Sequence, residues 1–207
     1  MSRRAGSSAR WRQRQQRDPY VEKALREGWR GRAVFKLEQI NAKERILRKG
    51  MVCVDLGAAP GSWSQLAAQL VGPQGWVLAQ DLLAMDPIPG VEFVPGDFTE
   101  IATLQAVRQS LGERRADLVM SDMAPNISGN RSIDQPRSMQ LADEALLFAE
   151  EVLSPGGDFL VKLFQGEGFD AYVQQIRAKF RRARLIKPKA SRAGSREIYL
   201  LARTYGM

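Results

Sequence analysis

"MVCVDLGAAPGSW", residues 51–63, passes from a short apolar segment ending in an acid, through a turn containing Gly57 and Gly61, into a sequence suited to a helix. The apolar part, through Asp55, has the length and residue types of a buried strand. In open sheets of alternating strands and helices, ligands bind at the carboxyl ends of strands near the topological switch point. Gly57 and Gly61 let backbone approach a ligand where a side chain would obstruct it. The spacing is not G-x-G-x-x-G, and Pro60 occupies the turn where a pyrophosphate would need free amides, so a dinucleotide is disfavoured.

Outward from this stretch, strand patterns at 76–80, 91–94, 117–121 and 158–164 alternate with helix patterns at 62–70, 101–111, 138–153 and 169–180. Such alternation predicts an α/β fold, a parallel sheet covered by helices. Leu141, Ala145, Phe148 and Val152 form one helical stripe, and "SPGG" at 154–157 is expected to stop that helix before the next strand. Upstream, Val34, Leu37 and Ile40 suit a helix leading into "NAKERILRKG". Near the C-terminus, 184–186 and 197–202 read as a closing pair of strands joined by a basic loop, which brings the sheet to seven strands. No repeat and no second domain is visible. Residues 1–18 mix Arg, Gln, Ser and Gly without apolar periodicity and read as a basic flexible arm, leaving 19–207 as the single domain.

Composition narrows the chemistry. Cys53 is the only cysteine among 207 residues and histidine is absent, so Cys/His zinc sites and Ser-His-Asp or Cys-His catalysis are excluded. An acid or base here must be Lys, Asp, Glu or Tyr. The net charge of +8 is concentrated towards the two ends, which favours a polyanionic partner, RNA first among them; solvated tails and charged helix faces are the plainer alternative. No apolar run approaches a membrane span and no signal peptide opens the chain, so a cytoplasmic protein is expected. A monomer is the default, since no long apolar surface stripe is left unassigned.

The acids at the strand ends suggest a ligand. Asp81 at the tip of the second strand is placed to accept both hydroxyls of a ribose. Asp97, after the third, is placed to receive the exocyclic amine of adenine. With Asp55 they describe a pocket for an adenosine carrying a positive group, a description that S-adenosyl-L-methionine satisfies. Each acid taken alone is more often a turn or cap residue. Their ordered series carries the reading.

"FLVKLFQGEG", residues 159–168, sets one lysine, Lys162, inside an apolar run. A buried lysine requires acidic partners, a shifted pKa or a strand end that reaches water, and an active site at the carboxyl end of a sheet supplies all three. With "GWRGRAVFKL", "VDLGAAPGSWSQ", "DLLAMDPIPGVEF", "GDFT", "SDMAPNISG", "LSPGG" and "SRAGSREIYL" in order, the chain from about Tyr20 onward resembles the FtsJ/RrmJ family of ribose 2′-O-methyltransferases. The likeness is strongest to the bacterial branch, which acts on a uridine in 23S rRNA of the large ribosomal subunit. It implies a Rossmann-like class I S-adenosylmethionine-dependent methyltransferase domain, its sheet mostly parallel with helices on both faces. The family's catalytic tetrad falls on Lys36, Asp122, Lys162 and Glu197. The resemblance also implies cofactor contacts at Gly61, Trp63, Asp81, Asp97 and Asp122, with Asp55 lining the same pocket. It implies no metal.

Plainer readings exist for the same residues: Lys36 as a solvated helix residue, Glu197 as a surface ion pair, Trp63 and Met123 as apolar walls. Lys162 itself has two possible roles. As a neutral amine it accepts the hydroxyl proton; as an ammonium it orients the hydroxyl and stabilises developing oxyanion charge. Rival functions are a transfer RNA or messenger RNA cap methyltransferase, a non-catalytic ribosome-assembly factor, and a nicotinamide-dependent oxidoreductase, the last opposed by the turn chemistry.

Overall fold

The computed structural model describes residues 18–192 and 194–206; the expected basic arm, apart from Asp18, lies outside them. Among the described residues six helices and seven strands follow in the order α1 (Pro19–Arg26), α2 (Val34–Glu44), β1 (Val52–Leu56), α3 (Ser62–Val71), β2 (Trp76–Asp81), β3 (Val91–Pro95), α4 (Ile101–Leu111), β4 (Ala116–Ser121), α5 (Arg131–Val152), β5 (Leu153–Phe164), α6 (Phe169–Lys179), β6 (Phe180–Ile186) and β7 (Glu197–Tyr205). The strands form one sheet in the order β3-β2-β1-β4-β5-β7-β6. β1 to β5 pair in parallel, whereas β7 runs antiparallel to both β5 and β6. The chain reverses its winding direction beside β1, so the tips of β1 and β4 flank the switch point where ligands of such sheets bind.

Alternation along each strand divides the core into two layers. Cys53, Val77, Leu118, Met120, Leu160, Tyr199 and Leu201 face α1, α2 and α3. Val54, Leu78, Val119, Phe159, Val161, Leu200 and Ala202 face α4, α5 and α6. Lys162 lies two residues beyond Leu160 and therefore points to the first layer, where α2 brings Lys36.

Three boundaries differ from the sequence reading. α5 starts at Arg131 rather than 138, because Asn130 caps it by accepting from the Ser132 amide; Pro136 lies inside the helix. Its buried stripe runs through Ala142, Ala145, Leu146 and Ala149, which leaves Leu141 only half-buried. "SPGG" belongs to β5, which follows α5 without a loop, and the irregular pairing between Ala116 and Leu118 absorbs it. Near the C-terminus β6 begins at Phe180, directly after α6, so both closing strands are longer than expected. Among the described residues, no helix is long and apolar enough to cross a membrane.

Candidate active site

The carboxyl ends of β1 to β4 open onto a cleft of about 670 Å³. Gly57, Asp81, Asp97 and Asp122 line it, each at or just beyond the end of a different strand. Gly57 is required by its surroundings: φ is 75°, and a Cβ would stand 2.7 Å from Met123 Cγ and 3.0 Å from the Met123 backbone. Asp81 braces the rim, accepting from the Ala59 amide and the Leu83 amide, both at 2.8 Å. Asp97 accepts from the Thr99 amide and hydroxyl through Oδ1. Those two bonds hold its pKa below the ordinary carboxylate value.

Asp55, Gly61 and Trp63 are not among the lining residues. Asp55 is fully buried behind the wall, where its Oδ2 accepts from the Ser64 hydroxyl at 2.6 Å. Burial is the main force raising its pKa to about 7; the Ser64 bond opposes this, and the charges of Asp122 and Asp81 add to it. Gly61, with φ at 102°, packs against the 82–90 loop, where a Cβ would meet Ile88 Cδ1 at 2.6 Å. Trp63 donates from Nε1 to the Ala33 carbonyl at 2.8 Å, and its ring centre stands 5.7 Å from that of Tyr199. It thereby fixes the segment that leads into α2.

Beside the cleft, three elements and the loop after β4 converge on a chain of ionisable groups. Lys36 in the first turn of α2 pairs with Glu197 at 2.9 Å, and Lys162 on β5 pairs with Asp122 Oδ1 at 3.1 Å. The Lys162 amine also donates to the Asp122 carbonyl. Tyr199 on β7 joins the two pairs: its hydroxyl donates to Asp122 Oδ1 at 2.6 Å and accepts from Lys36 Nζ at 3.1 Å. All four residues of the tetrad are thus brought together. Lys36 is 7% exposed and Lys162 8%, so neither is a solvated surface lysine.

Burial works to raise the pKa of Asp122, but Lys162, Lys36 and the Tyr199 hydrogen bond outweigh it and hold the carboxyl below its ordinary value. Burial first, then the charges of Asp122 and Glu197, push the Tyr199 hydroxyl well above its usual range. Tyr199 is therefore a neutral donor. Sequence reasoning missed it, although it lies two residues beyond Glu197 on a strand and so shares its face. Arg137, Gln140 and Leu141 of α5 also line the cleft and were missed, because that helix had been read mainly as core.

Residues 29–205 match the model of the FtsJ-like methyltransferase family. A protein of Alkalilimnicola ehrlichii named Ribosomal RNA large subunit methyltransferase E is 54% identical over 204 residues, covering 99% of this chain and 98% of that protein. A crystal structure described as a ribosomal RNA methyltransferase from Plasmodium falciparum superposes with a TM-score of 0.76 at 27% identity, over 86% of this chain and 98% of that one. Human Methyltransferase-like protein 13, solved in complex with SAH, shares the fold at 15% identity with a TM-score of 0.58, over 84% of this chain and 80% of that one.

Proposed function

The chain belongs to the FtsJ-like methyltransferase family, and we propose that it transfers a methyl group from S-adenosylmethionine to a ribose 2′-hydroxyl in 23S rRNA of the large ribosomal subunit. The observation that carries this reading is the linked set Lys36–Glu197 and Lys162–Asp122, joined through Tyr199 at the edge of the cleft. The residues present fit the cofactor. Three carboxylates and one arginine are the charged groups of the lining, a balance that suits a cation, and Gly57 puts backbone without a side chain on the cleft wall. Asp81 and Asp97 would hold the ribose and the adenine, and Asp122 would face the positive centre. When bound, S-adenosylmethionine supplies an electrophilic methyl group on a sulfonium.

The protein must align a ribose oxygen with that methyl group and remove its proton. Alignment alone contributes about 7–11 kcal/mol in well-oriented systems. For the proton, the choices narrow quickly. Tyr199 stays protonated, Asp122 is a weakened base, and Glu197 is engaged by Lys36. Lys162 is left. Two of its Nζ positions are taken by the Asp122 carboxylate and carbonyl, and the third serves the hydroxyl. We assign the hydroxyl proton to Lys162; Asp122 fixes where its Nζ points, and Lys36 with Glu197 holds Tyr199 and Asp122 in place.

The test is to supply the purified chain with isotopically labelled S-adenosylmethionine and either isolated large subunits or naked 23S rRNA from unmethylated cells. One 2′-O-methyl site should appear, more readily in the particle, because the described residues carry no separate RNA-binding domain. Methylation of transfer RNA in preference to both would contradict the substrate assignment.

A further inference from the structure

A second concavity, of about 400 Å³, lies towards the amino-terminal end of β5 and is lined by Arg48, Gly156, Asp158, Arg181, Arg182, Arg203 and Thr204. Its charge is opposite in sign to that of the cleft. The one acid, Asp158, is already spent: Oδ2 accepts from Arg203 Nε at 3.0 Å and Oδ1 from the Thr204 amide at 3.1 Å. Among the described residues Arg48, Arg181 and Arg182 have no carboxylate partner. Moreover, Arg182 and Arg203 are direct cross-strand partners between β6 and β7. Like charges in that position are destabilising, and Asp158 pairs with Arg203 only, leaving Arg182 without a carboxylate of its own among the described residues.

The placement matters. Asp158 precedes Lys162 by four residues on β5, about 13 Å along the strand, and Gly156 lies farther still towards the amino end. An anion held there is beyond the phosphates that flank the target ribose. β6 is an edge strand, so the arginines are reached by passing around the side of the sheet rather than through the cleft. Guanidinium groups match phosphate oxygens in a bidentate fork.

We propose that this arginine groove is a second phosphate-binding site, which grips the backbone of an rRNA segment distant from the methylated nucleotide and so helps seat the particle on the enzyme. The inference rests on the rRNA reading above. The groove positions RNA without reading its sequence, as backbone contacts do.

The experiment compares the full chain with the triple variant R48Q/R181Q/R182Q and with R48K/R181K/R182K. Binding to unmethylated large subunits is measured over a range of salt, and S-adenosylmethionine affinity is measured in parallel. The glutamine variant should bind about tenfold more weakly or worse at moderate salt, and its log–log salt slope should be shallower by roughly 2–3, the loss of three phosphate contacts. Cofactor affinity should be unchanged, and the lysine variant should recover most of the slope. A glutamine variant with the wild-type affinity and slope overturns the groove while leaving the methyltransferase reading intact. A wild-type chain that methylates no rRNA overturns both.

Discussion

Lys162 and Tyr199 are direct cross-strand partners between β5 and β7, and both reach the same atom, Oδ1 of Asp122, at 3.1 and 2.6 Å. One carboxylate oxygen therefore sets the position of the lysine amine and of the hydroxyl that connects it to Lys36. Tyr199 is not itself a lining residue of the cleft, so its effect on reaction passes through Asp122, which is one, and through Lys36.

Tyr199→Phe keeps the ring and removes that connection. A buried hydrogen bond to a charged group is worth about 1.5–3 kcal/mol, so the variant should melt at a lower temperature while remaining folded at room temperature. Its kcat should fall about tenfold or more, equivalent to about 1.4 kcal/mol of barrier, with KM for RNA nearly unchanged. The pH–rate profile should also move, because Asp122 loses one of the groups that hold it ionised. An unchanged profile alongside lower stability would reduce Tyr199 to packing.

Asp55 gives a pH-dependent test of stability. Its folded pKa of about 7 stands above the usual carboxylate value of 3.8. Between about pH 4 and pH 7 the folded chain therefore holds a proton that the unfolded chain releases, and stability falls as pH rises through that window. A shift of this size corresponds to about 4 kcal/mol. Asp55→Asn cannot ionise and can still accept from Ser64, so it should raise the melting temperature at about pH 8 and have little effect at about pH 4. Thermal denaturation at the two pH values decides it; a variant equally destabilised at both would contradict the assignment.

Asp81→Ala removes a proposed cofactor contact and two anchors of the rim, at Ala59 and Leu83. Loss of one charge-assisted contact of about 1.5–3 kcal/mol weakens binding by about 10–100-fold. Calorimetric titration with S-adenosylmethionine should show that loss, while large-subunit affinity is retained. Unchanged cofactor affinity would remove Asp81 from the pocket.

Gly57→Ala tests the floor of the cleft. The added methyl group would meet Met123 at 2.7 Å in a backbone conformation that L side chains rarely adopt. A destabilisation of about 1–3 kcal/mol is expected, with weaker cofactor binding. Denaturant unfolding with and without cofactor separates the two effects, and a neutral variant would show that Met123 yields freely.

Much of this arrangement was legible in the sequence, because the parallel strands announce themselves as short apolar runs and their terminal acids fall at the ends of those runs. Asp81 and Asp97 needed only the rule that such sheets bind ligands at one end, whereas Asp122 was reached through the family resemblance. Lys36 was not readable in that way: it sits in a helix rich in polar residues, and only the pairing of β7 with β5 brings Glu197 and Tyr199 to it. Asp55 had the strand position of a ligand acid, but it shares the face of Cys53, the side covered by α3, and meets Ser64 there. The arginine groove is assembled from four separate segments, and its sign depends on which side Asp158 neutralises. Linear charge counts record the excess without its location.

The most direct measurement is single-turnover methyl transfer to the large subunit by the wild type, Lys162→Ala and Lys162→Arg, with cofactor and subunit binding measured on the same preparations. If Lys162 accepts the ribose proton, both variants bind both substrates yet lose transfer by at least about 100-fold, arginine included, because a guanidinium keeps its proton in proteins. Substantial transfer by Lys162→Arg would show that a fixed positive charge suffices at this position, and would contradict the assignment of Lys162 as the proton acceptor.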